Sequence, residues 1–453
     1  MEQEVTLTEM LEAREARVRA QDSLRERYGV PVISFTLNIA GPVKDSPLIR
    51  RAFRTGQEEL RTGLRAAKLE ALWQGENLAP TGCEGLYAVK GTAKEVKALC
   101  VSIEDGSPLG RLFDMDVLDR DGRKLDREEV GGGPRNCIVC GAPGKGCASR
   151  RVHTVEQLQK ATRRILEDHF AAAGREKVSA LVTQALLDEV CTTPKPGLVD
   201  RANNGSHRDM DIFTFTASAA ALAPYWGQCF QIGRETARRT PSKTFRALRA
   251  AGQGAERAMF SATNGVNTHK GAIFTLGTIC GAIGRLWSAE APCRDLNAIL
   301  SECGAMASAA VEADFAALEV RTAHTAGERA YLERGLTGVR GEAANGFPSV
   351  RDVALPALCR ALEAGLSKND AGAIALLHLA AQGTDTNMVA RGGPERAKKA
   401  AEDCARLLER RPLPEMEEIS RLDQEFIRDN LSPGGCADLL AAAFFLQSWK
   451  GIE

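Results

Sequence analysis

The pattern of apolar residues changes at EQLQKATRRILEDHFAAAGREKVSALV, residues 156–182. Before this segment, short β-rich runs between helical pieces predict strands; they are VISFTLNI (32–39), GLYAV (85–89), ALCVSI (98–103) and RLFDMDVL (111–118). After it, Ala- and Leu-rich segments such as TFRALRAAGQGAERAMF (244–260) repeat at helical spacing, with Gly and Pro between them.

This change of pattern predicts two domains, an α+β domain over residues 1–170 and an all-helical domain over residues 171–453. A chain of 453 residues exceeds what one hydrophobic core usually organises, and an apolar fraction of 44% is sufficient for two cores. We expect Ala171–Gly174 to form a hinge between two helices or a break within one helix.

The balance of charge and the chain's ends restrict the class of protein. The 59 basic and 59 acidic residues cancel, so the one-sided basic surface of a nucleic-acid-binding protein is not expected. The charged start, MEQEVTLTEMLEAREARVRAQ, is unlike a signal peptide, and the apolar run ADLLAAAFFL (437–446) is too short to span a bilayer. Thirteen scattered cysteines do not resemble a disulfide framework. We therefore expect a cytoplasmic protein without membrane or nucleic-acid partners.

Two aspartates in GRLFDMDVLD (110–119) are the main chemical feature of the first part. Strand alternation puts Asp114 and Asp116 on one face, about 7 Å apart, a spacing at which two carboxylates can share Mg²⁺. Upstream, LNIAGPVK brings Lys44 and a Gly turn to the end of another strand, a composition suited to phosphate. Two solvated aspartates on an exposed strand face are the alternative.

Another cluster, CIVCGAPGKGCASRRVH (137–153), offers zinc ligands in a C-x2-C-x6-C-x5-H series. Its candidate ligands are Cys137, Cys140, Cys147 and His153. The alternatives are free thiols on a Gly-rich loop, with Arg135, Arg150 and Arg151 binding phosphate instead.

These motifs resemble the CitX family, phosphoribosyl-dephospho-CoA transferases that attach the prosthetic group to the acyl carrier subunit of citrate lyase. The resemblance covers about residues 24–160 and rests on VPVISFTLNIAGPVKDSPLI, SIEDGSPLGRLFDMDVLD, and RNCIVC with CASRRVH. It implies a nucleotidyltransferase-like fold, with Asp114 and Asp116 as catalytic Mg²⁺ ligands and Lys44 and Arg111 as substrate-binding residues.

Five polar, Gly-punctuated stretches interrupt the helices of the second part; they are TPKPGLVDRANNGSHRDMD (193–211), GVNTHKGAIF (265–274), GVRGEAANGFP (338–348), GTDTNMVARGG (383–393) and LSPGGCADLLA (431–441). Each places polar or charged side chains beside Gly, and most combine carboxylates or amides with Lys, Arg or His, a composition that can receive a metal-bound triphosphate at helix N-termini. Singly, each stretch could be no more than a turn or a helix cap.

Together the five stretches resemble the CitG family, the triphosphoribosyl-dephospho-CoA synthases, over about residues 176–446. The resemblance implies that ATP and 3'-dephospho-CoA are the substrates and that adenine is released, a glycosyl transfer that needs an acid and a base. Four carboxylates are the candidates for metal, ribose, acid or base work: Asp209, Asp211, Glu342 and Asp385. The candidates for binding substrate are Lys195, His207, Asn267, His269, Lys270, Arg340 and Arg391.

A fusion of the two families would make the triphosphoribosyl intermediate and transfer it to a serine of the apo acyl carrier subunit of citrate lyase, with loss of pyrophosphate. Two alternatives remain open at this point. One is a protein or RNA nucleotidyltransferase fused to an ADP-ribose hydrolase-like helical domain, and the other is a non-enzymatic scaffold that binds a carrier protein.

Overall fold

A computed structural model of the chain describes residues 3–318, 326–409 and 413–451. It has two units, one of Met1–Ala173 with Ala289–Ala291 and the other of Gly174–Ser288 with Pro292–Glu453.

The N-terminal unit contains a four-stranded antiparallel sheet in the order β2-β3-β1-β4. Its strands are β1 (Val32–Leu37), β2 (Glu70–Ala79), β3 (Gly82–Lys90) and β4 (Phe113–Leu118). Strand β1 is central and almost wholly buried, whereas β4 lies at an edge and alternates between buried and half-buried positions. This mixture of sheet and helix confirms the predicted α+β class for the first part of the chain.

Five helices accompany the sheet in the described part of this region; they are α1 (Leu7–Tyr28), α2 (Pro47–Ala66), α3 (Ala93–Gly106), α4 (Gly144–Ser149) and α5 (Val155–Cys191). Helix α2 begins after Ser46, whose side chain accepts the Ile49 N–H, and it buries one apolar face. Phe53 on that face stacks on Phe35 of β1 with ring centroids 5.0 Å apart. The core of the unit therefore lies between α2 and the sheet.

The run ALCVSI, predicted as a strand, lies within helix α3. The helix starts with a capping box in which the Thr92 side chain accepts the Glu95 N–H and the Glu95 carboxylate accepts the Thr92 N–H. Val96, Cys100 and Val101 then form a buried stripe at helical spacing. The local cap and the period-3.6 pattern outweigh the β-branched composition of the run.

The expected hinge or break at Ala171–Gly174 is wrong, because α5 continues through these residues as one helix of 37 residues. Three alanines favour the helix, and Gly174 has a packing role in it. A Cβ atom at position 174 would lie 2.5 Å from the ring of Trp287. Glycine is present at this position because an indole ring occupies the space, and the backbone does not turn.

The C-terminal unit is helical throughout its described part, as predicted. Beyond the C-terminal portion of α5, its helices are α6 (Ile212–Thr236), α7 (Pro241–Ala262), α8 (Lys270–Arg285), α9 (Leu296–Ala316), α10 (Ala326–Arg334), α11 (Gly338–Ala344), α12 (Leu355–Glu363), α13 (Lys368–Ala380), α14 (Thr386–Gly392), α15 (Pro394–Leu408), α16 (Met416–Arg428) and α17 (Gly434–Lys450). A π-helical turn, Ser349–Ala354, leads into α12.

Helix α8 is central to this unit, with twelve buried residues among its sixteen. It packs closely against α6, because a Cβ atom on Gly284 would lie 2.0 Å from the carbonyl oxygen of Phe230. This close backbone approach holds the C-terminal end of α8, and the contact of Gly271 with Asp438 lies at its N-terminal end, where Lys270 begins the helix. Among the described residues, no helix is both long enough and apolar enough to cross a membrane.

Candidate functional site

Strand β4 carries Asp114 and Asp116 on one face of the N-terminal sheet, while Phe113, Met115 and Val117 are fully buried on the other. The two aspartates pair in register with Thr36 and Ser34 of β1. The predicted alternation is therefore present, and the aspartate face also carries hydroxyl groups.

Asp114 and Asp116 affect each other electrostatically. Burial raises the pKa of Asp114, and the neighbouring charge of Asp116 raises it further, whereas Lys124 lowers it. Lys124 Nζ lies 2.6 Å from Asp116 Oδ2. Among the residues that the structure describes, Lys124 is the direct ion-pair partner of this pair of repelling carboxylates, and such a donor set fits a hard divalent cation.

The outer edge of β4 is covered mainly by side chains, and near its end the Leu125 N–H donates to the Val117 carbonyl at 2.9 Å. Lys97 Nζ donates to the Met115 carbonyl at 3.0 Å, and Glu104 Oε1 accepts the Met115 N–H at 2.9 Å. Arg135 donates to the carbonyl of Phe113 at 2.7 Å. Side chains from α3 and from the segment after β4 thus hold the strand that carries both aspartates. They form hydrogen bonds with backbone groups that would otherwise be unpaired at this edge of the sheet.

The two predicted substrate-binding cations of this unit have partners elsewhere. Lys44 Nζ donates to the Ile39 carbonyl, and burial lowers the pKa of this amine. Arg111 donates to the Asn136 carbonyl. Neither side chain has a direct contact with the aspartate pair among those described, and in this state both fix loops beside it.

The cysteine cluster is also assembled. One potential ligand atom from each of Cys137, Cys140, Cys147 and His153 lies within 4.8 Å of every other.

The C-terminal unit contains a cavity of about 700 Å³ at which several of the polar stretches meet. It is lined by eight of the predicted residues: Lys195, His207, Asp209, Asn267, His269, Lys270, Arg340 and Arg391. They come from four different stretches of the sequence, and Gly434, Gly435 and Asp438 of the fifth stretch also line the cavity. The volume is that of a pocket for a nucleotide-sized molecule.

His269 lies directly before α8 and is only 3% exposed. Thr268 Oγ1 donates to Ser218 Oγ at 2.8 Å, and Ser218 Oγ is 2.7 Å from His269 Nδ1. A hydroxyl that accepts from Thr268 can donate its own hydrogen to Nδ1, and in that arrangement the neutral imidazole carries its proton on Nε2. Burial, and secondarily Lys195, lowers the pKa of His269 to about 3, which keeps the ring neutral.

The Nε2 atom of His269, which carries the hydrogen when Ser218 donates to Nδ1, is buried and has no hydrogen-bond partner among the described residues. A buried, unsatisfied donor in the wall of a cavity is costly unless a bound molecule accepts from it. This histidine therefore offers one neutral hydrogen bond to a ligand.

The cavity's cations are already paired with carboxylates or carbonyls. Lys195, which is 1% exposed, forms an ion pair with Glu189. Lys270 Nζ is 3.1 Å from Glu256 Oε2. The remaining two are Arg340, 3.2 Å from Glu328 Oε1, and Arg391, which donates to the carbonyls of Ser206 and Asn430.

Four carboxylates in the cavity wall were not singled out from the sequence: Glu189, Glu256, Glu328 and Asp438. Burial raises the pKa of Asp438 well above its ordinary value, and Glu189 and Asp385 add to the effect, while a hydrogen bond from the Ala272 N–H opposes it. The shift favours the protonated form of this carboxyl group, the form that can donate a proton. Asp438 lies in GGCADLLA, where an acid surrounded by apolar residues in a helix is the signal that could have identified it.

Three of the proposed catalytic carboxylates do not line this cavity. Asp211 accepts the Thr214 N–H as the N-cap of α6, and these hydrogen bonds lower its pKa. Asp385 is 5% exposed and accepts N–H groups from Asn387, Met388 and Cys436. Glu342 accepts from the Ser349 N–H and hydroxyl.

Each of these three acids holds a helix end or a turn next to the cavity. Their direct involvement in chemistry stays a prediction, and the geometry gives each a positioning role.

Comparison with known proteins gives two consistent matches. Residues 175–452 match the family model for CitG, ATP:dephospho-CoA triphosphoribosyl transferase, and residues 5–169 match the model for CitX, apo-citrate lyase phosphoribosyl-dephospho-CoA transferase. The chain is 34% identical over 459 residues to Protein CitXG of Haemophilus influenzae, covering 99% of this chain and 97% of that protein. The chain belongs to the family of CitX–CitG fusion proteins.

Further relatives of the fusion family agree with this assignment. Protein CitXG of Leuconostoc mesenteroides is 34% identical over 465 residues, covering 99% of this chain and 98% of that protein. The 2-(5''-triphosphoribosyl)-3'-dephosphocoenzyme-A synthase of Pectobacterium atrosepticum is 43% identical over 280 residues, covering 60% of this chain and 90% of that protein.

Membership of the CitX–CitG family confirms the expected bifunctional transferase, with ATP and dephospho-CoA as substrates of one part and apo-citrate lyase as the target of the other. It also removes both alternatives, the nucleotidyltransferase fused to an ADP-ribose hydrolase and the non-enzymatic scaffold.

Proposed function

We propose that the cavity of the C-terminal unit is where dephospho-CoA replaces the adenine of ATP, with Asp438 as the proton donor to adenine. In this reaction the bond from the ribose C1 atom to adenine breaks, and the 2'-oxygen of dephospho-CoA bonds to the same carbon. Adenine takes up one proton, and the attacking hydroxyl loses one. The observation that carries the proposal is the position of the Asp438 carboxyl group, whose pKa burial raises, in the wall of a cavity that is also lined by cations.

Asp438 is suited to the donor role because a general acid has to hold a proton at the working pH. Adenine is a poor leaving group as an anion, so protonation of its ring lowers the barrier to departure. Gly271 is next to this carboxyl group, and the Ala272 N–H donates to it. The first turn of α8 therefore fixes the acid in place.

Asp209 is the proposed proton acceptor for the attacking hydroxyl. It is exposed on the loop that precedes α6 and lines the cavity, so it can reach a hydroxyl that enters from solvent. The imidazole of His207, held by Ser432 at 2.9 Å from its Nε2 atom, lies close enough to Asp209 for their charges to interact. The acid and base are then separate groups, as a displacement at a sugar carbon requires.

The triphosphate is assigned to the cationic side of the cavity, formed by Lys270, Arg340 and the N-terminus of α8. Lys270 and Arg340 have carboxylate partners, Glu256 and Glu328, which would be left near the phosphates. Oxygen ligands beside phosphates form a donor set that fits Mg²⁺, which when bound supplies positive charge to the triphosphate. The lysine and arginine side chains then orient the terminal phosphates.

His269 is assigned to substrate recognition. Its Nε2–H group is a neutral donor in a buried wall, suited to an acceptor on adenine or ribose. Because burial keeps its pKa far below neutrality, the ring adds no positive charge beside the developing positive charge on the sugar.

The second reaction is assigned to the aspartate face of β4 in a nucleotidyltransferase-like N-terminal unit. A serine oxygen of the citrate lyase acyl carrier subunit attacks the α-phosphorus of the triphosphate, and pyrophosphate leaves. Asp114 and Asp116 would hold Mg²⁺, whose charge assists departure of pyrophosphate. Their mutual repulsion and half-buried position support this assignment.

The test uses the full chain with ATP, dephospho-CoA and the apo acyl carrier subunit in one reaction. Free adenine is measured by chromatography, and the carrier by intact mass. We expect adenine only when dephospho-CoA is present, and a carrier mass increase that corresponds to the phosphoribosyl-dephospho-CoA group. Adenine release without dephospho-CoA would contradict the proposed displacement, because it would indicate hydrolysis.

A further inference from the structure

The segment between β4 and α5 has almost no hydrophobic core of its own. Among the described side chains of residues 131–154, none is buried. Its helix α4 has only six residues, and Val139 is 37% exposed. A segment with so little apolar burial needs another source of stability to hold one conformation.

Three cysteines lie on this segment, although cysteine is usually among the most buried residue types. Cys137 and Cys147 are half-buried and Cys140 is exposed, whereas seven of the other ten cysteines are buried. Their sulfur atoms nevertheless converge. Cys140 Sγ is 3.5 Å from Cys147 Sγ and 3.3 Å from His153 Nε2.

These separations match a tetrahedral metal site. With zinc–sulfur bonds of about 2.3 Å, neighbouring sulfurs of a tetrahedron lie about 3.8 Å apart. All four potential ligand atoms of the cluster lie within 4.8 Å of one another. Three sulfurs and one nitrogen form a closed set that leaves no coordination position for water.

The backbone around the first cysteine pair has the conformation that such a site needs. The Val139 and Cys140 N–H groups donate to the Cys137 sulfur, so the turn wraps around this atom. Gly141 has φ +75°, and its N–H donates to the Cys137 carbonyl at 2.9 Å. In this left-handed turn after Cys140 both sulfurs lie close together, and glycine adopts the turn without strain.

We propose that Cys137, Cys140, Cys147 and His153 bind one structural zinc ion. The ion joins the turn at Cys137–Gly141 to α4 and to the start of α5, and so supplies the stability that the missing hydrophobic core does not.

The zinc-binding segment is connected to the aspartate strand. Arg135, two residues before Cys137, donates to the Gly110 and Phe113 carbonyls at 3.0 and 2.7 Å. Arg111 donates to the carbonyl of Asn136. The metal thus holds a positioning contact next to Asp114, and its loss is expected to affect the carrier-modifying reaction, while the adenine-releasing reaction remains.

The experiment measures metal in the full chain purified without chelator. We expect about one zinc ion per chain by elemental analysis, and its release when the thiols of the folded protein are titrated with a mercurial reagent. Cobalt added during expression should replace zinc and give the visible absorption of tetrahedral cobalt bound to thiolates. Absence of zinc from the wild type, together with a Cys140–Cys147 disulfide in mass spectrometry, would overturn the proposal.

Variants separate this site from adventitious binding to other thiols. Cys137→Ser with Cys140→Ser should lose the zinc, whereas Cys191→Ser with Cys359→Ser, which changes two half-buried thiols outside the cluster, should retain it. His153→Ala keeps three sulfur ligands and should bind zinc more weakly in a chelator competition, by tenfold or more. Adenine release by each variant shows whether the C-terminal unit is folded, and the circular dichroism of the chain shows whether the N-terminal unit keeps its sheet and helices. Equal zinc content in all of these variants would contradict the assignment.

Discussion

Gly271 and Asp438 are in such close contact that a Cβ atom at position 271 would lie 1.9 Å from Asp438 Oδ2. Gly271 is in the first turn of α8 and Asp438 is in the first turns of α17. The contact therefore joins two of the polar stretches that are distant in sequence. It explains why the residue after Lys270 has no side chain, since the carboxyl group occupies that space.

Gly271→Ala should displace the Asp438 carboxyl group and reduce adenine release by about 100-fold, because a misplaced catalytic group loses most of its effect. The rate is measured at saturating ATP and dephospho-CoA. Gly254→Ala is the matched control, because a Cβ atom on that residue of α7 would have only the end of the Arg257 side chain within 4 Å. Equal rates for the two variants would contradict the placement of Asp438 at the reacting atoms.

Asp438→Asn should reduce adenine release by about 10²- to 10⁴-fold, the usual contribution of a general acid. In the wild type, the protonated form of Asp438 is present below its raised pKa, so the rate should fall as pH rises through that pKa. The variant has no proton to lose and should not show this decrease. Glu402→Gln, on an exposed position of α15, should keep both the rate and the pH profile of the wild type. A profile in Asp438→Asn identical to the wild type would exclude Asp438 as the donor.

The alternation of β4 could be predicted because it depends on a local period of two residues, which places Asp114 and Asp116 on one face whatever the rest of the chain does. The helices of the second part could be predicted for the same reason, because the helical spacing of apolar residues is also a local pattern. The continuous helix at Ala171–Gly174 could not be predicted, because glycine there reflects contact with the ring of Trp287, which is far along the chain.

The roles of the carboxylates in the C-terminal unit depend on tertiary contacts, which no local sequence pattern shows. An aspartate before a helix is equally typical of a cap and of a catalytic group, and Asp385 receives a third N–H from Cys436 that no local pattern indicates. Asp438 lies in an apolar run whose composition predicts a buried helix of the hydrophobic core. Its raised pKa comes from burial near Glu189 and Asp385, and these residues come together only in the folded unit.

Lys270→Ala should weaken the use of ATP by about 1–3 kcal/mol, which is the value of a charge-assisted hydrogen bond to phosphate and corresponds to about 5- to 150-fold in kcat/KM. Stability should barely change, because the ion pair of Lys270 with Glu256 is half-exposed. Lys398→Ala, which breaks the exposed pair with Glu402, is the control for removal of a surface lysine. Wild-type kinetics of Lys270→Ala at subsaturating ATP would place the triphosphate elsewhere in the cavity.

Asp114→Asn with Asp116→Asn should stop modification of the carrier while adenine release continues, so the triphosphoribosyl intermediate should accumulate. Asparagine keeps the size of both side chains but removes the two charges that would bind Mg²⁺. The fold should be retained, because Lys97 and Glu104 hold β4 through the backbone of Met115, and the ion pair of Asp116 with Lys124 that the change removes is partly exposed. Asp121→Asn, on the exposed turn after the strand, is the control and should give both products. Adenine and carrier mass are followed in one reaction. If the double variant modifies the carrier at the wild-type rate, the aspartate pair is a solvated strand face, and the transfer reaction uses other residues.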